Sequence, residues 1–332
     1  MVASKAPTSL SRLPFFVLLC VTSWPCFAGS TNEQARAWLD KMLRAGESLN
    51  YDGTFVYRNG EEVEAMRIIH QAGAEGGRQR LVALGGVARE VIRDRSRVTC
   101  ILPDHRSVVV TKSRYATIPS PSTLGSELPD DRFYQMEVIG TDRVAGRTAE
   151  IVGVRPRDAY RYGYRLWVDH ETGLLLKSAL LRSEGKPLEQ FAYTSLMLPE
   201  QIPDTLLSPG ISAAGFTWYE SSEDLPARDS RARRQWRPTW LPMGFMLRDS
   251  AEYPLPTRRM PVDHLFYSDG LASLSIYIEK LESTSDRLDG VSSMGALNAF
   301  GKVIEEHQVT VVGEVPVVTV RSVGKSVRRA LP

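Results

Sequence analysis

From Tyr51 to Met197 the chain alternates short runs of β-branched and aromatic residues with turn signals, and little in that span repeats at helical spacing. No other feature restricts the fold as much. The runs are Gly53–Tyr57, Val63–His70, Arg80–Leu84, Ala88–Arg93, Val98–Leu102, Ser107–Thr111, Gln135–Gly140, Ala149–Val154, Tyr162–Asp169, Leu174–Leu181 and Glu189–Met197. Asn59-Gly60, after the first, is a tight-turn dipeptide. Many short strands in succession predict a largely antiparallel sheet or barrel. In one run Tyr162, Tyr164, Leu166 and Val168 share a face, while Arg161, Arg165 and Asp169 take the other. That alternation suits a sheet with one face buried and one wet. Leu174-Leu175-Leu176, reached through a turn at Asp169–Gly173, is apolar on both faces and needs cover on both sides. A barrel wall with a helix or a ligand against it would supply that cover.

Thr31 to Leu49 reads as an amphipathic helix, with Ala35, Trp38, Leu39, Met42 and Leu43 at helical spacing. Ser208 to Arg237 reads as a connector, rich in proline, glycine and the polar run Arg228–Arg234. A second, smaller α+β block begins near Trp240. Its clearest strand is Ser273–Glu279, reached from His264–Tyr267 through the turn Ser268-Asp269-Gly270. Gly295–Phe300 is expected to be helical. Val309–Val312 and Val315–Val320 are expected to form a hairpin about Gly313-Glu314, with Pro316 at an edge. The expected division is a signal at 1–28, a first domain at 29–207, a linker at 208–237, a second domain at 238–323 and a tail at 324–332.

The signal rests on Lys5 and Arg12, an apolar run from Leu13 to Phe27 broken by Pro14 and Pro25, and small residues at Cys26 and Ala28. Cleavage after Ala28 is expected. The whole chain carries 41 Lys and Arg against 39 Asp and Glu, so losing Lys5 and Arg12 leaves it neutral. A nucleic-acid partner held by counterion release is not expected of such a chain. Of three cysteines only Cys100 lies beyond the signal, in an apolar strand-like run where a buried, inert thiol is expected. No nucleophile elbow, metalloprotease helix motif, phosphate loop or dinucleotide fingerprint is present, and the five histidines are scattered. Asp130-Asp131 reads as a solvated pair. These residues suggest no enzyme, no metal and no cofactor.

Aromatic and basic residues interleave in the connector: Trp218, Tyr219, Trp236 and Trp240 with Arg228, Arg231, Arg233, Arg234 and Arg237. They are either a solvated linker whose tryptophans pack on neighbouring surfaces, or a contact surface for an acidic peptide or a lipid phosphate. Trp218, Arg231, Arg233, Arg234 and Trp236 are the partner-binding candidates.

The order and spacing of several motifs resemble the MucB/RseB family. They are Asn50-Tyr51-Asp52-Gly53-Thr54-Phe55-Val56-Tyr57, His70, Arg80-Leu81-Val82-Ala83-Leu84 and Arg89-Glu90-Val91-Ile92-Arg93. In the second block they are Trp240-Leu241-Pro242-Met243-Gly244-Phe245, the run Tyr267–Ser275 and the run Thr310–Pro316. Leu84-Gly85-Gly86 departs from the pattern, lacking a polar residue before the second glycine. The resemblance implies a half-open antiparallel β-barrel similar to lipoprotein carriers, followed by a smaller α+β domain. It also implies a periplasmic regulator of an envelope-stress sigma factor. Such a protein binds the periplasmic part of a transmembrane anti-sigma factor, shields it from site-one proteolysis, and releases it when lipid or lipopolysaccharide enters the barrel. It would meet the inner membrane only through that partner. The alternative is a periplasmic lipid or lipoprotein carrier. Phe55, Tyr57, Tyr162, Tyr164 and Leu166 are the candidates for lining a lipid crevice, with ordinary core packing as the other reading.

Overall fold

Helix α1 (Thr31–Ser48) leads directly into β1 (Tyr51–Asn59) and a long antiparallel sheet. The structure, a computed structural model, describes Met1 and residues 31–73, 77–94, 97–112, 127–220, 235–253, 262–281 and 287–329. The signal read at 1–28 therefore lies outside the described residues, apart from Met1. Among the described residues no helix is long and apolar enough to cross a membrane.

The meander continues through β2 (Glu62–Gln71), β3 (Arg78–Ala83), β4 (Glu90–Asp94), β5 (Arg97–Leu102) and β6 (Ser107–Lys112). A second meander holds β7 (Tyr134–Val144), β8 (Arg147–Pro156), β9 (Gly163–Asp169), β10 (Leu175–Leu181) and β11 (Pro187–Met197). Antiparallel pairing of β1 with β11, Phe55 opposite Tyr193, fuses the two meanders. After the short helix α2 (Asp204–Leu207), strand β12 (Thr217–Glu220) joins the far edge. The result is one 12-stranded sheet in the order β12-β6-β5-β4-β3-β2-β1-β11-β10-β9-β8-β7, whose two end strands do not pair among the described residues. It is a half-open barrel, antiparallel except where β12 runs parallel to β6.

On the inner face α1 inserts Ala35, Leu39 and Met42 among Phe55, Ile68, Leu81, Met136, Val152 and Leu166. This is the helix that the doubly apolar β10 requires. The outer face is covered by returning chain. Ile202, Leu206 and Leu207 pack on Ile69, while Ile211, Ala213 and Phe216 pack on Ile101, Val108 and Val110. Glu90, buried on that face, pairs with Arg80 at 2.6 Å and accepts the Gly210 backbone N–H at 2.9 Å. A Cβ at Gly210 would meet the Arg80 guanidinium and lie 2.9 Å from the Glu90 carboxylate, so a larger residue there would displace this buried pair.

The smaller block is a 6-stranded sheet in the order β14-β15-β16-β19-β18-β17. Its strands are β14 (Met246–Tyr253), β15 (Val262–Ser268), β16 (Ser273–Lys280), β17 (Gly290–Met294), β18 (Leu297–Ile304) and β19 (His307–Gly313). Helix α3 (Val317–Ser326) lies against it, and a short ribbon pairs β13 (Trp236–Pro238) with β20 (Val327–Arg329). Leu274, Ile276 and Ile278 face the core together, as their alternation predicts.

Three expectations are corrected. Gly295–Phe300 is not helical. Gly295, at φ +61°, starts the turn of a β17–β18 hairpin, and Phe300 pairs with Val311. Val315–Val320 is not a second strand of a hairpin, and Pro316 is not at a sheet edge. Pro316 opens α3, whose Thr319, Val320, Val323 and Gly324 are buried at helical spacing, and that periodicity overrides the strand preference of valine. Arg161 and Asp169 are not on a wet face. Both are buried, and each is held by an opposite charge. The connector and tail are also less irregular than expected. Residues 217–220 complete the large sheet, and 327–329 pair with 236–238.

Candidate functional site

The five crevice candidates separate into two groups. Phe55 and Leu166 are each 1% exposed and belong to the core under α1. Phe55 meets Phe191 and Tyr193 edge-on, with ring centroids 5.3 and 6.0 Å away. For these two the structure shows the core packing that is the other reading of the sequence. Tyr57, Tyr162 and Tyr164 are half-buried. They meet at a corner where β1, β9 and β11 receive the small sheet.

The β17–β18 turn plugs that corner. Ala296, fully buried, packs with Leu180, Leu188, Tyr162 and Tyr164. Asn298 donates to the Tyr162 hydroxyl at 3.0 Å and to the Val315 carbonyl at 2.8 Å. Glu189 on β11 accepts hydrogen bonds from the Tyr57 hydroxyl and the Ala296 backbone N–H. Glu314, just after β19, faces Glu189. Burial, and then the Glu189 charge, push the Glu314 carboxyl up to about 7. Burial likewise holds the Glu189 carboxyl and the Tyr57 and Tyr164 hydroxyls above their ordinary ranges.

A second contact between the blocks centres on Arg161, in the β8–β9 connection. Its guanidinium reaches Asp269, in the β15–β16 turn, at 2.5 Å, and also bonds Asp158 and the Met243 carbonyl. The Arg161 and Asp269 side chains are both fully buried. Tyr134 donates its hydroxyl to Asp269 at 2.9 Å, and the rings of Phe133 and Phe245 lie 5.0 Å from the guanidinium carbon. Nearby, Thr319 donates to the Tyr160 carbonyl at 2.8 Å and Trp240 meets Tyr160 edge-on. The joint is thus a polar latch beside an aromatic cluster, with a small apolar plug at the tyrosine corner.

The partner-binding candidates are not brought together. Trp218, on edge strand β12, is 54% exposed and Tyr219 beside it is also exposed. Trp236 is 2% exposed, sits in the core of the small block and lies 5.1 Å from the His307 ring. Arg231, Arg233 and Arg234 lie outside the described residues.

The inner face also carries a polar row that the sequence reading did not single out as a site. Across β1, β2, β3 and β4 the register sets Tyr51 opposite His70, His70 opposite Gln79, and Gln79 opposite Arg93. Tyr51 and His70 stack with centroids 4.6 Å apart. His70 Nδ1 lies 2.9 Å from the Leu49 carbonyl, and burial holds the imidazole below its ordinary range. The available signal was phase: Arg93 falls in register with the buried Val91 rather than with the outward Ile92. Cys100, opposite Val91 on β5, is half-buried on this same face. Among the described residues no group of His, Cys, Asp and Glu is placed to hold a metal.

Known proteins share this arrangement. Residues 34–211 match the family model of the MucB/RseB N-terminal domain, and residues 230–328 match that of the MucB/RseB C-terminal domain. The chain is 34% identical to the sigma factor AlgU regulatory protein MucB of Pseudomonas aeruginosa, over 94% of its own length and 96% of that protein's. It is 28% identical to the sigma-E factor regulatory protein RseB of Escherichia coli K12, over 95% and 97%. Among solved structures it is similar to a chain of the P. aeruginosa MucA/MucB complex (TM-score 0.68, 30% identity, covering 90% of this chain and 100% of that one). It is equally similar to a chain from the structure of MucB in complex with MucA(peri) (TM-score 0.68, 32% identity, 90% and 100%).

Proposed function

The chain belongs to the MucB/RseB family, and from that premise we propose that it binds the periplasmic segment of a transmembrane anti-sigma factor and shields that segment from site-one proteolysis. The observation that carries this is the match along nearly the whole chain, small block included, to a sigma factor regulatory protein and to MucB in complex with MucA(peri). In this reading the protein is exported to the periplasm and meets the inner membrane through its partner. It regulates rather than catalyses.

Release follows from the joint. Tyr57, Tyr162 and Tyr164 sit where a lipid or lipopolysaccharide acyl chain would enter the half-open barrel, and Ala296 and Asn298 of the small block already occupy that corner. A chain lodging there competes with the plug and shifts one block against the other. Inter-domain contacts of ordinary size permit such movement. The partner surface includes Trp218 and the arginines that follow it in sequence, Arg231, Arg233 and Arg234.

The test uses the mature protein, the periplasmic segment of the cognate anti-sigma factor and the site-one protease. Cleavage should slow when the protein is added and recover when lipopolysaccharide is added. Undiminished cleavage in the presence of saturating protein would end the proposal. Protection that lipopolysaccharide leaves untouched would end the release mechanism alone.

A further inference from the structure

The other arginines of the β2–β4 region have acids within reach. Arg67 pairs with Asp52 at 2.6 Å, Arg78 with Asp204 at 2.6 Å, Arg80 with Glu90 at 2.6 Å, and Arg89 with Glu64. Arg93 is the exception. Among the described residues no carboxylate pairs with it, and its Nε, shut off from solvent, has no hydrogen-bond partner. It stands half-buried on the inner face, in the row of Tyr51, His70 and Gln79 and in phase with Val91. Burial lowers the guanidinium from its ordinary range, and its charge helps hold the neighbouring imidazole of His70 neutral.

A cation taken partly out of water without a counter-charge destabilises the fold that carries it. Apart from the polar row itself, the inner-face residues around this position are apolar: Ile68, Leu81, Val91 and Val98 are all buried here. A planar guanidinium offers two parallel donors, the geometry that suits phosphate oxygens. The surroundings supply what a headgroup alone would not use, an apolar wall leading away from the charge.

We propose that Arg93 is an anion subsite on the inner face of the large sheet, where it takes the phosphate of an amphiphile whose apolar part lies along the barrel wall beside Val91 and Cys100. The proposal rests on the reading of the half-open barrel as a lipid crevice, and it places the headgroup at the β4 side of that crevice, away from the tyrosine corner.

The experiment is calorimetric titration of the mature chain, as wild type, Arg93→Gln and Arg93→Lys, with dodecyl phosphate, dodecyl maltoside and inorganic phosphate, each below its micelle concentration where one exists. Dodecyl phosphate should bind wild type and lose roughly tenfold or more on Arg93→Gln, the scale of one charge-assisted bidentate contact. Arg93→Lys should recover part of it, and dodecyl maltoside should bind all three alike. Equal dodecyl phosphate binding to wild type and Arg93→Gln overturns the subsite while leaving the lipid crevice standing. No binding of either amphiphile overturns both. Arg93-dependent binding of inorganic phosphate as tight as that of dodecyl phosphate overturns the amphiphile and leaves a free-phosphate site. Stability gives an independent reading. Without ligand, Arg93→Gln should melt no lower than wild type, because among the described residues no carboxylate compensates the charge it removes. A drop of several degrees would mean Arg93 is a structural residue and would overturn the proposal.

Discussion

At the scale of single residues, Glu314 turns the joint into something pH acts on. The groups around it are acids and phenols: Tyr57 on β1, Tyr164 on β9 and Glu189 on β11, with Glu64 of β2 acting on the same Tyr57. Arg182 is felt at Tyr162. The Glu314 carboxyl is pushed up to about 7, above the value of about 4.5 it has when unfolded. The folded protein therefore holds a proton there that the unfolded chain has lost. Stability from this group is full below about pH 4.5 and disappears as pH rises through about 7. Melting temperature should fall by roughly 5 °C between pH 5.5 and 8, and Glu314→Gln should flatten that slope. Circular dichroism melts across that range would show it, and parallel slopes in the two proteins would contradict it. None of this was legible in the run Gly313-Glu314, because the acid that faces Glu314 is distant in sequence and arrives only through the fold. Arg161 was misread for the same reason: alternation assigned it to water, and its partner Asp269 comes from the other sheet.

Elements were legible where periodicity was clean and misleading where propensity and periodicity disagreed. Strands β1 to β11 of the large sheet fall on the β-branched runs between turn signals, and β16 faces its core as written. Helix α3 was lost to its valines, which favour strands one by one but recur at 3.6-residue spacing. Strand β12 was hidden because four residues are too few to show a period, and its partner β6 lies far back in the chain. That strand gives a clean test of the connector. Trp218 is 54% exposed and supports no core. Trp218→Ala should leave stability within about 0.5 kcal/mol of wild type, as surface substitutions do, while weakening binding of the anti-sigma segment. A urea titration and a binding isotherm on the same preparation separate the two effects, and unchanged affinity would remove Trp218 from the partner surface.

For the whole molecule, the two sheets have separate cores but share a buried charge. Removing one side of a buried pair leaves the other desolvated and unpaired, at a cost of about 3–5 kcal/mol. Arg161→Ala should therefore strip the latch from Asp269, Asp158 and the Met243 carbonyl together. Since each sheet has its own core, the expected result is two unfolding transitions where wild type shows one. Differential scanning calorimetry would register this, and a single transition at the wild-type temperature would show that the latch contributes little.

Cys100 gives the open sheet a built-in clock. Beyond residues 1–28 the chain carries one cysteine, Cys100, half-buried on the inner wall of the barrel. Burial raises that thiol above its ordinary range, so it reacts slowly while the wall is covered. Its rate with a chromogenic disulfide at fixed pH then counts how often the inner face is bared. An amphiphile that parts the two blocks at the tyrosine corner should speed the reaction, whereas one that settles beside Val91 should slow it. The same unmodified protein would thus report, in seconds of absorbance change, which end of the crevice a lipid has taken.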